Sequence, residues 1–281
     1  MYGRKLQIVF FLCSLFLIEA CSSIAKDKIE PVQYIHLSHF KIKPTPFISP
    51  QISNIDLKEY QVVMLGGDLS DSTTKDVQSM EYLDSIFDFS NENTLWSVGN
   101  HDFAGDTALI QEFTGREHYF ARTKNGVCFL VLDTQMDSSN IVKEQLDFVD
   151  SLIDTIQKST HLIVLHHKLI WLYNNSTFNT DSINKVSNAH LGDCNYCLNP
   201  NNFNKQIYPK LKKLQKQGIQ VICIGGDVGK KVKEFEHITA DGVVFLGSGI
   251  EENDAKNKVL IFNHDLNSKK LTWEFKPVNE F

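Results

Sequence analysis

The sequence predicts an α/β domain. Three observations lead there: short runs of Val, Ile, Leu and Phe recur along the chain, stretches of helical periodicity separate several of them, and four of the runs end in Gly, Asp, Asn or His. Continuous apolar runs are what the strands of a sheet covered on both faces require. Polar residues gathered at strand C-termini mark the edge where such folds bind their ligands.

The first twenty residues stand apart from that pattern. Arg4 and Lys5 precede an apolar run over residues 8–18, which is shorter than the roughly 20 residues of a bilayer span but suits a signal-peptide core. The run closes on Leu17-Ile18-Glu19-Ala20-Cys21-Ser22-Ser23, which resembles a bacterial lipobox with Cys21 as the lipidated residue. An ordinary cleaved signal peptide is the alternative. Both readings place the protein outside the cytoplasm, and the first anchors it by lipid in a bacterial cell envelope. Residues 21–31 read as a polar tether.

From residue 32 to 281 the chain reads as one domain. Strands are expected at 32–37, 62–65, 95–98, 127–133, 162–165, 221–224, 242–246, 259–264 and 271–275. Helical spacing is expected over 142–156, where Val142, Leu146, Val149, Leu152, Ile153 and Ile156 repeat at three- and four-residue steps. It is also expected over 207–217, stopped by Gly218, and over 79–87. Residues 174–203 are rich in Asn, Ser and Thr and read as one long insertion, a length that is usually functional or disordered.

Composition narrows the partners. With 42% hydrophobic and 22% charged residues the body is that of a globular protein, and a net charge of −6 argues against nucleic acid as a partner. Cys128 and Cys223 lie in apolar runs and read as buried thiols. Cys194 and Cys197 form a lone Cys-x-x-Cys, for which a local disulfide is expected in an oxidising compartment; structural zinc would need further ligands.

The strand ends carry the chemistry. Val62–Leu65 runs into Gly66-Gly67-Asp68-Leu69-Ser70-Asp71, and the strand at 95–98 into Gly99-Asn100-His101-Asp102. The strand at 162–165 runs into His166-His167, and that at 221–224 into Gly225-Gly226-Asp227-Val228-Gly229. One such ending is a common turn. Four in order, each supplying oxygen or imidazole ligand types, form a constellation.

That order resembles the calcineurin-like phosphoesterase family, whose motifs run Asp-x-His, Gly-Asp, Gly-Asn-His-Asp or Glu, a histidine, and Gly-His-x-His. The resemblance implies a four-layer α/β-β/α metallophosphoesterase sandwich of two mixed sheets, with the last two strands completing the second sheet. It also implies that Asp68 bridges two metals, that Asn100, His166 and Asp227 hold the second, and that His101, backed by Asp102, assists the leaving group. His166 is preferred to His167 because it comes first after the strand.

Two motifs depart from the family. Leu37-Ser38-His39-Phe40-Lys41 stands where Asp-x-His is expected, so His39 and Lys41 replace two first-metal ligands. Gly226-Asp227-Val228-Gly229 stands for Gly-His-x-His, so Gly229 offers no ligand at all. An ammonium about 4 Å from a divalent ion is repelled by roughly 8 kcal/mol at an effective dielectric of about 20, so Lys41 and a first-site ion should exclude each other.

The expectation is a metal-dependent hydrolase of phosphomonoesters or phosphodiesters using Zn, Mn or Fe, one or two ions per chain, with Lys41 or His39 steadying the phosphate of a small substrate. A lipid-anchored binding or assembly protein using the same fold without turnover is the rival. A surface binder built on the insertion and gated by the Cys194–Cys197 disulfide is a third reading.

Overall fold

The computed structural model describes residues 30–173, 175, 185–188 and 201–281. The leader, Cys21, most of the tether, Cys194, Cys197 and most of the insertion lie outside the described residues. Along the chain run β1 (Val32–Leu37), β2 (Val62–Leu65), α1 (Val77–Phe87), β3 (Thr94–Trp96), α2 (Ala108–Thr114), β4 (Phe120–Lys124) and β5 (Val127–Val131). There follow α3 (Lys143–Thr155), β6 (His161–His166), α4 (Tyr208–Lys216), β7 (Gln220–Gly225), β8 (Glu234–Ile238), β9 (Val244–Ser248), β10 (Lys258–Asp265) and β11 (Lys270–Pro277).

Local chemistry sets the helix ends. Asp76 caps α1 by accepting from the Ser79 amide at 2.8 Å, and Asp88 turns left-handed to close it. α4 has a proline in its first turn, where no amide hydrogen is needed, and Gly218 at φ 91° stops the chain just beyond it.

Two sheets form, in the orders β11-β10-β1-β2-β3 and β4-β5-β6-β7-β9-β8. The β1-β2-β3 and β5-β6-β7-β9 pairings are parallel, and the outer strands β10, β11, β4 and β8 are antiparallel, so both sheets are mixed. Tyr34, Met64, Leu95 and Phe262 of the first sheet meet Phe129, Ile163, Leu165 and Leu246 of the second in a buried seam. The alternate residues point outward. Leu65 and Trp96 pack with Met80 and Leu83 of α1 and Leu109 of α2, while Val164 and Val221 pack with Val149 of α3 and Leu211 of α4. The result is the expected four-layer sandwich, and burial on both faces explains why its central strands are apolar throughout.

Three elements are not evident in the sequence. β4 and β8 are edge strands; β8 is half-exposed to exposed along its whole length and carries Glu234, Glu236 and His237. α2 has only seven residues, too few to show a period. One expectation is corrected: β10 and β11 belong to the first sheet, because β10 pairs antiparallel with the free edge of β1, Ile35 opposite Ile261. Apolar alternation in β10 suits either sheet, and only the partner edge decides.

Among the described residues no helix is long and apolar enough to cross a membrane. Cys128 and Cys223 are buried and free, as their apolar runs imply.

Beneath the common edge of the two sheets lies His36, fully buried, with Nδ1 2.8 Å from the Ser248 hydroxyl. Burial, aided by nearby His166, pushes its imidazole down to about 3. Between about pH 6.5 and pH 3 the unfolded chain therefore holds the extra proton and the folded one does not. Stability should fall as pH drops through that window, by about 1.4 kcal/mol per pH unit from this group. Urea titrations of the wild type and of His36→Gln at stepped pH check it: the variant should lose about one proton's worth of slope. Equal slopes would show that His36 does not contribute.

Candidate metal centre

The C-terminal ends of β1, β2, β3, β6, β7 and β9 converge, and backbone contacts tie them. Ile250 N–H donates to the Ser38 carbonyl at 3.0 Å, and Gly66 N–H to the Leu37 carbonyl at 2.7 Å. These loops touch closely enough to require glycine. A Cβ on Gly226 would lie 1.8 Å from the Gly66 carbonyl oxygen, and one on Gly67, at φ 91°, would lie 2.6 Å from the Gly99 nitrogen. His39 (φ 56°) and Asp68 (φ 57°) are both held in the left-handed region, a cost of order 1–3 kcal/mol that clusters at functional sites.

Asp68 is the centre. It is buried, and the Lys41 ammonium, itself buried, sits on its Oδ2. Its Oδ1 accepts from the His101 amide at 3.0 Å and lies 3.5 Å from His167 Nε2. Burial works against its charge, but Lys41, then His167 and His39, hold the carboxyl well below the usual range. His39 Nε2 lies 3.8 Å from Asp68 Oδ2. Burial and the neighbouring lysine push His39 down to about 3, so at neutral pH it faces Asp68 uncharged.

The histidine at the centre is His167, which corrects the choice of His166. Along β6 the side chains alternate: Val164 faces the helices, Leu165 the seam, and His166 the helical side again, where its ring lies 6.5 Å from that of Phe203. His166 Nδ1 donates to the Lys168 carbonyl at 2.8 Å, and burial pushes the ring down to about 4. His167 comes after the strand has ended and turns back to the edge. Its Nδ1 donates to the Gly66 carbonyl at 2.7 Å. That bond leaves Nε2 facing the centre, 3.3 Å from Asn100 Oδ1.

Asp227 stands where the family has a histidine. It is buried; Oδ1 accepts from Asn188 Nδ2 at 3.1 Å, and Oδ2 has no partner among the described residues. Burial pushes its carboxyl upward, against the pull of His167. His39, Asp68 and Asp227 present ligand atoms within 4.8 Å of one another.

The two halves of the centre differ in what they can hold. His167 Nε2 lies near both Asp68 Oδ1 and Asn100 Oδ1, and Asp227, grouped with Asp68 and His39, brings a buried carboxylate oxygen without a partner among the described residues; these are N/O donor types that suit a divalent ion. The other half offers His39 but sets a cation beside it. Lys41 occupies Asp68 Oδ2, and Gly229 is locked at φ 130°, where a Cβ would lie 2.7 Å from the Gly249 carbonyl carbon.

Asp102 does not orient His101, a second correction. Its Oδ2 accepts from the amides of Asp68 (2.7 Å) and Gly99 (2.8 Å) and from the Trp96 indole (3.3 Å). Its Oδ1 accepts from the Leu69 amide (2.9 Å) and the Thr73 hydroxyl (2.5 Å). Fully buried, it shapes the two loops that carry Asp68 and Asn100. The partner of His101 is Asp71: His101 Nδ1 lies 3.0 Å from its Oδ1 and 3.0 Å from its carbonyl oxygen. Asp71 stands three residues after Asp68 in a motif already singled out, and only its role was missing.

Above the centre opens a cleft of about 470 Å³, lined by Lys41, Lys43, Asn100, His101, Asn188 and Lys230 among others.

In structure the chain is similar to a dimetal phosphatase from Danio rerio, with a TM-score of 0.61 and 9% identity over 89% of this chain and 97% of that one. It is also similar to a 5'-nucleotidase precursor from Thermus thermophilus, with a TM-score of 0.43 and 12% identity over 88% of this chain and 54% of that one. An NAD nucleotidase from Haemophilus influenzae follows at a TM-score of 0.41 and 12% identity, over 88% of this chain and 50% of that one. No protein-family model matches the chain, and no curated protein matches it in sequence.

Proposed function

We propose that this chain, which has the calcineurin-like metallophosphoesterase fold, hydrolyses phosphomonoesters or phosphodiesters with a single divalent ion, Lys41 taking the place of a second. One observation carries the reading: the Lys41 ammonium covers one oxygen of Asp68, while the other faces His167 Nε2 at 3.5 Å. Asp68, Asn100, His167 and Asp227 would hold Zn, Mn or Fe(II). The ion, when bound, would supply Lewis acidity to a phosphoryl oxygen and to the attacking water.

The protein's own groups supply the rest. Lys41 presents a positive charge beside the cleft, where a phosphate oxygen could rest, and His39, whose Nδ1 donates to the Ile250 carbonyl at 3.2 Å, lines the cleft next to it. His101 Nδ1 is held by Asp71, which leaves Nε2 to deliver a proton to the leaving-group oxygen. Asp102 keeps both loops in register, so that donors and acid approach the same small volume. The buried setting strengthens each of these charges.

We place the protein, by its leader and Cys21, in a bacterial envelope on a lipid anchor, acting on a small phosphoester. A binding protein without turnover is the second reading, and one feature favours it: the Lys41–Asp68 pair is complete without any ion.

Elemental analysis after loading with Mn²⁺ or Zn²⁺, with hydrolysis of an aryl phosphate and a bis-aryl phosphodiester, separates the two. About one ion per chain with ion-dependent turnover is expected. Two ions per chain would reject the role given to Lys41; no ion and no turnover would leave the binding reading.

A further inference from the structure

The geometry points to Asn188, a residue of the long segment between β6 and α4, as the positioning residue that aims Asp227 at the metal. The inference rests on the metal-dependent reading above and concerns Asp227, which stands where the family motif has a histidine.

A carboxylate can turn either oxygen, or both, toward an ion. Here one is taken: Asn188 Nδ2 donates to Asp227 Oδ1 at 3.1 Å. The other, Oδ2, is buried and has no partner among the described residues. Asn188 cannot reverse its amide, because its Oδ1 accepts from the Lys230 backbone N–H at 2.7 Å. A flipped amide would set its carbonyl against the carboxylate and leave the Lys230 donor facing another donor. The backbone adds a further tie, with Asn188 N–H donating to the Asp227 carbonyl at 3.3 Å. Asn188 is itself buried, at 8% exposure, and lines the cleft.

A neutral donor is the partner this position needs. A lysine would place a second cation beside the ion, and an apolar residue would leave Oδ1 free to rotate inward. The amide satisfies one oxygen and adds no charge, so that the other is presented to the ion in one orientation. Groups of this kind behind a metal ligand typically contribute about 10- to 100-fold to affinity. Asn188 thereby becomes part of the metal centre, although nothing in the composition around it announces a ligand.

The test uses the full chain and Co²⁺ as the probe. Calorimetry gives the Kd, the visible absorption of bound Co²⁺ reports the ligand field, and melting of the metal-free protein reports the fold. For Asn188→Ala, Co²⁺ binding should weaken about 10- to 100-fold, with shifted ligand-field bands, while the metal-free protein melts at a lower temperature but still cooperatively. Asn188→Asp, which turns an acceptor toward Asp227, should weaken it at least as much. Wild-type affinity and spectrum in both variants would overturn the role of Asn188 and leave the hydrolase reading standing. Absence of Co²⁺ binding by the wild type would overturn both together.

Discussion

Asp68→Asn should abolish metal binding and destabilise the metal-free protein by about 3–5 kcal/mol. The substitution keeps the shape of the side chain but removes its charge. Both members of the pair are buried: the Lys41 side chain is 5% exposed and that of Asp68 2%. Neutralising Asp68 leaves the ammonium desolvated beside Oδ2 with no counter-charge, the costly way to break a buried pair. The same change removes the carboxylate that His167 and Asp227 approach. Adding Lys41→Met should then return most of the lost stability, since the unpaired charge is gone, while metal binding stays absent. Denaturant titration and metal analysis of both variants read the two effects separately. If Asp68→Asn alone were as stable as the wild type, the lysine would not be held by this pair.

His101→Ala should lower kcat by about 10²–10⁴ with metal content unchanged. His101 touches the centre through its backbone amide, which alanine retains, so the donor set is undisturbed. What is lost is the imidazole that protonates the leaving oxygen. The deficit should therefore grow for an alkyl phosphate and shrink for a nitrophenyl ester, whose leaving group needs little help. Asp71→Asn should show a smaller loss of the same pattern, because Asp71 holds His101 Nδ1. Asp102→Asn should act otherwise, by loosening the loops and weakening metal binding. Equal sensitivity of the two ester classes in His101→Ala would remove His101 from proton transfer.

Some errors of sequence reading here share one cause. His166 and His167 are adjacent, and a ligand type at a strand end is visible in the sequence whereas its direction is not. Direction depends on where β6 ends, since one residue reverses the face. Asp102 follows His101 in the chain and so suggested itself as its partner. In three dimensions it lies under both loops, and Asp71 reaches the ring from another strand end.

The sequence by itself determined the α/β class, the buried central strands, the strand ends where chemistry collects, and the absence of a usable residue at position 229. Those properties are local: apolar runs bury, glycines permit close approach, and residue types at strand ends are read directly. Tertiary structure alone decided that β10 and β11 flank β1, that His167 supplies the imidazole, that Asp71 holds His101 and that Asn188 holds Asp227. Each of these depends on which side chains meet across loops far apart in the chain, and hydrogen-bond partners are selected by distance in space. The charge of Lys41 lies between the two cases. Its place where the motif expects a ligand was legible in the sequence, but its pairing with Asp68 required the β1 and β2 loops to be brought together.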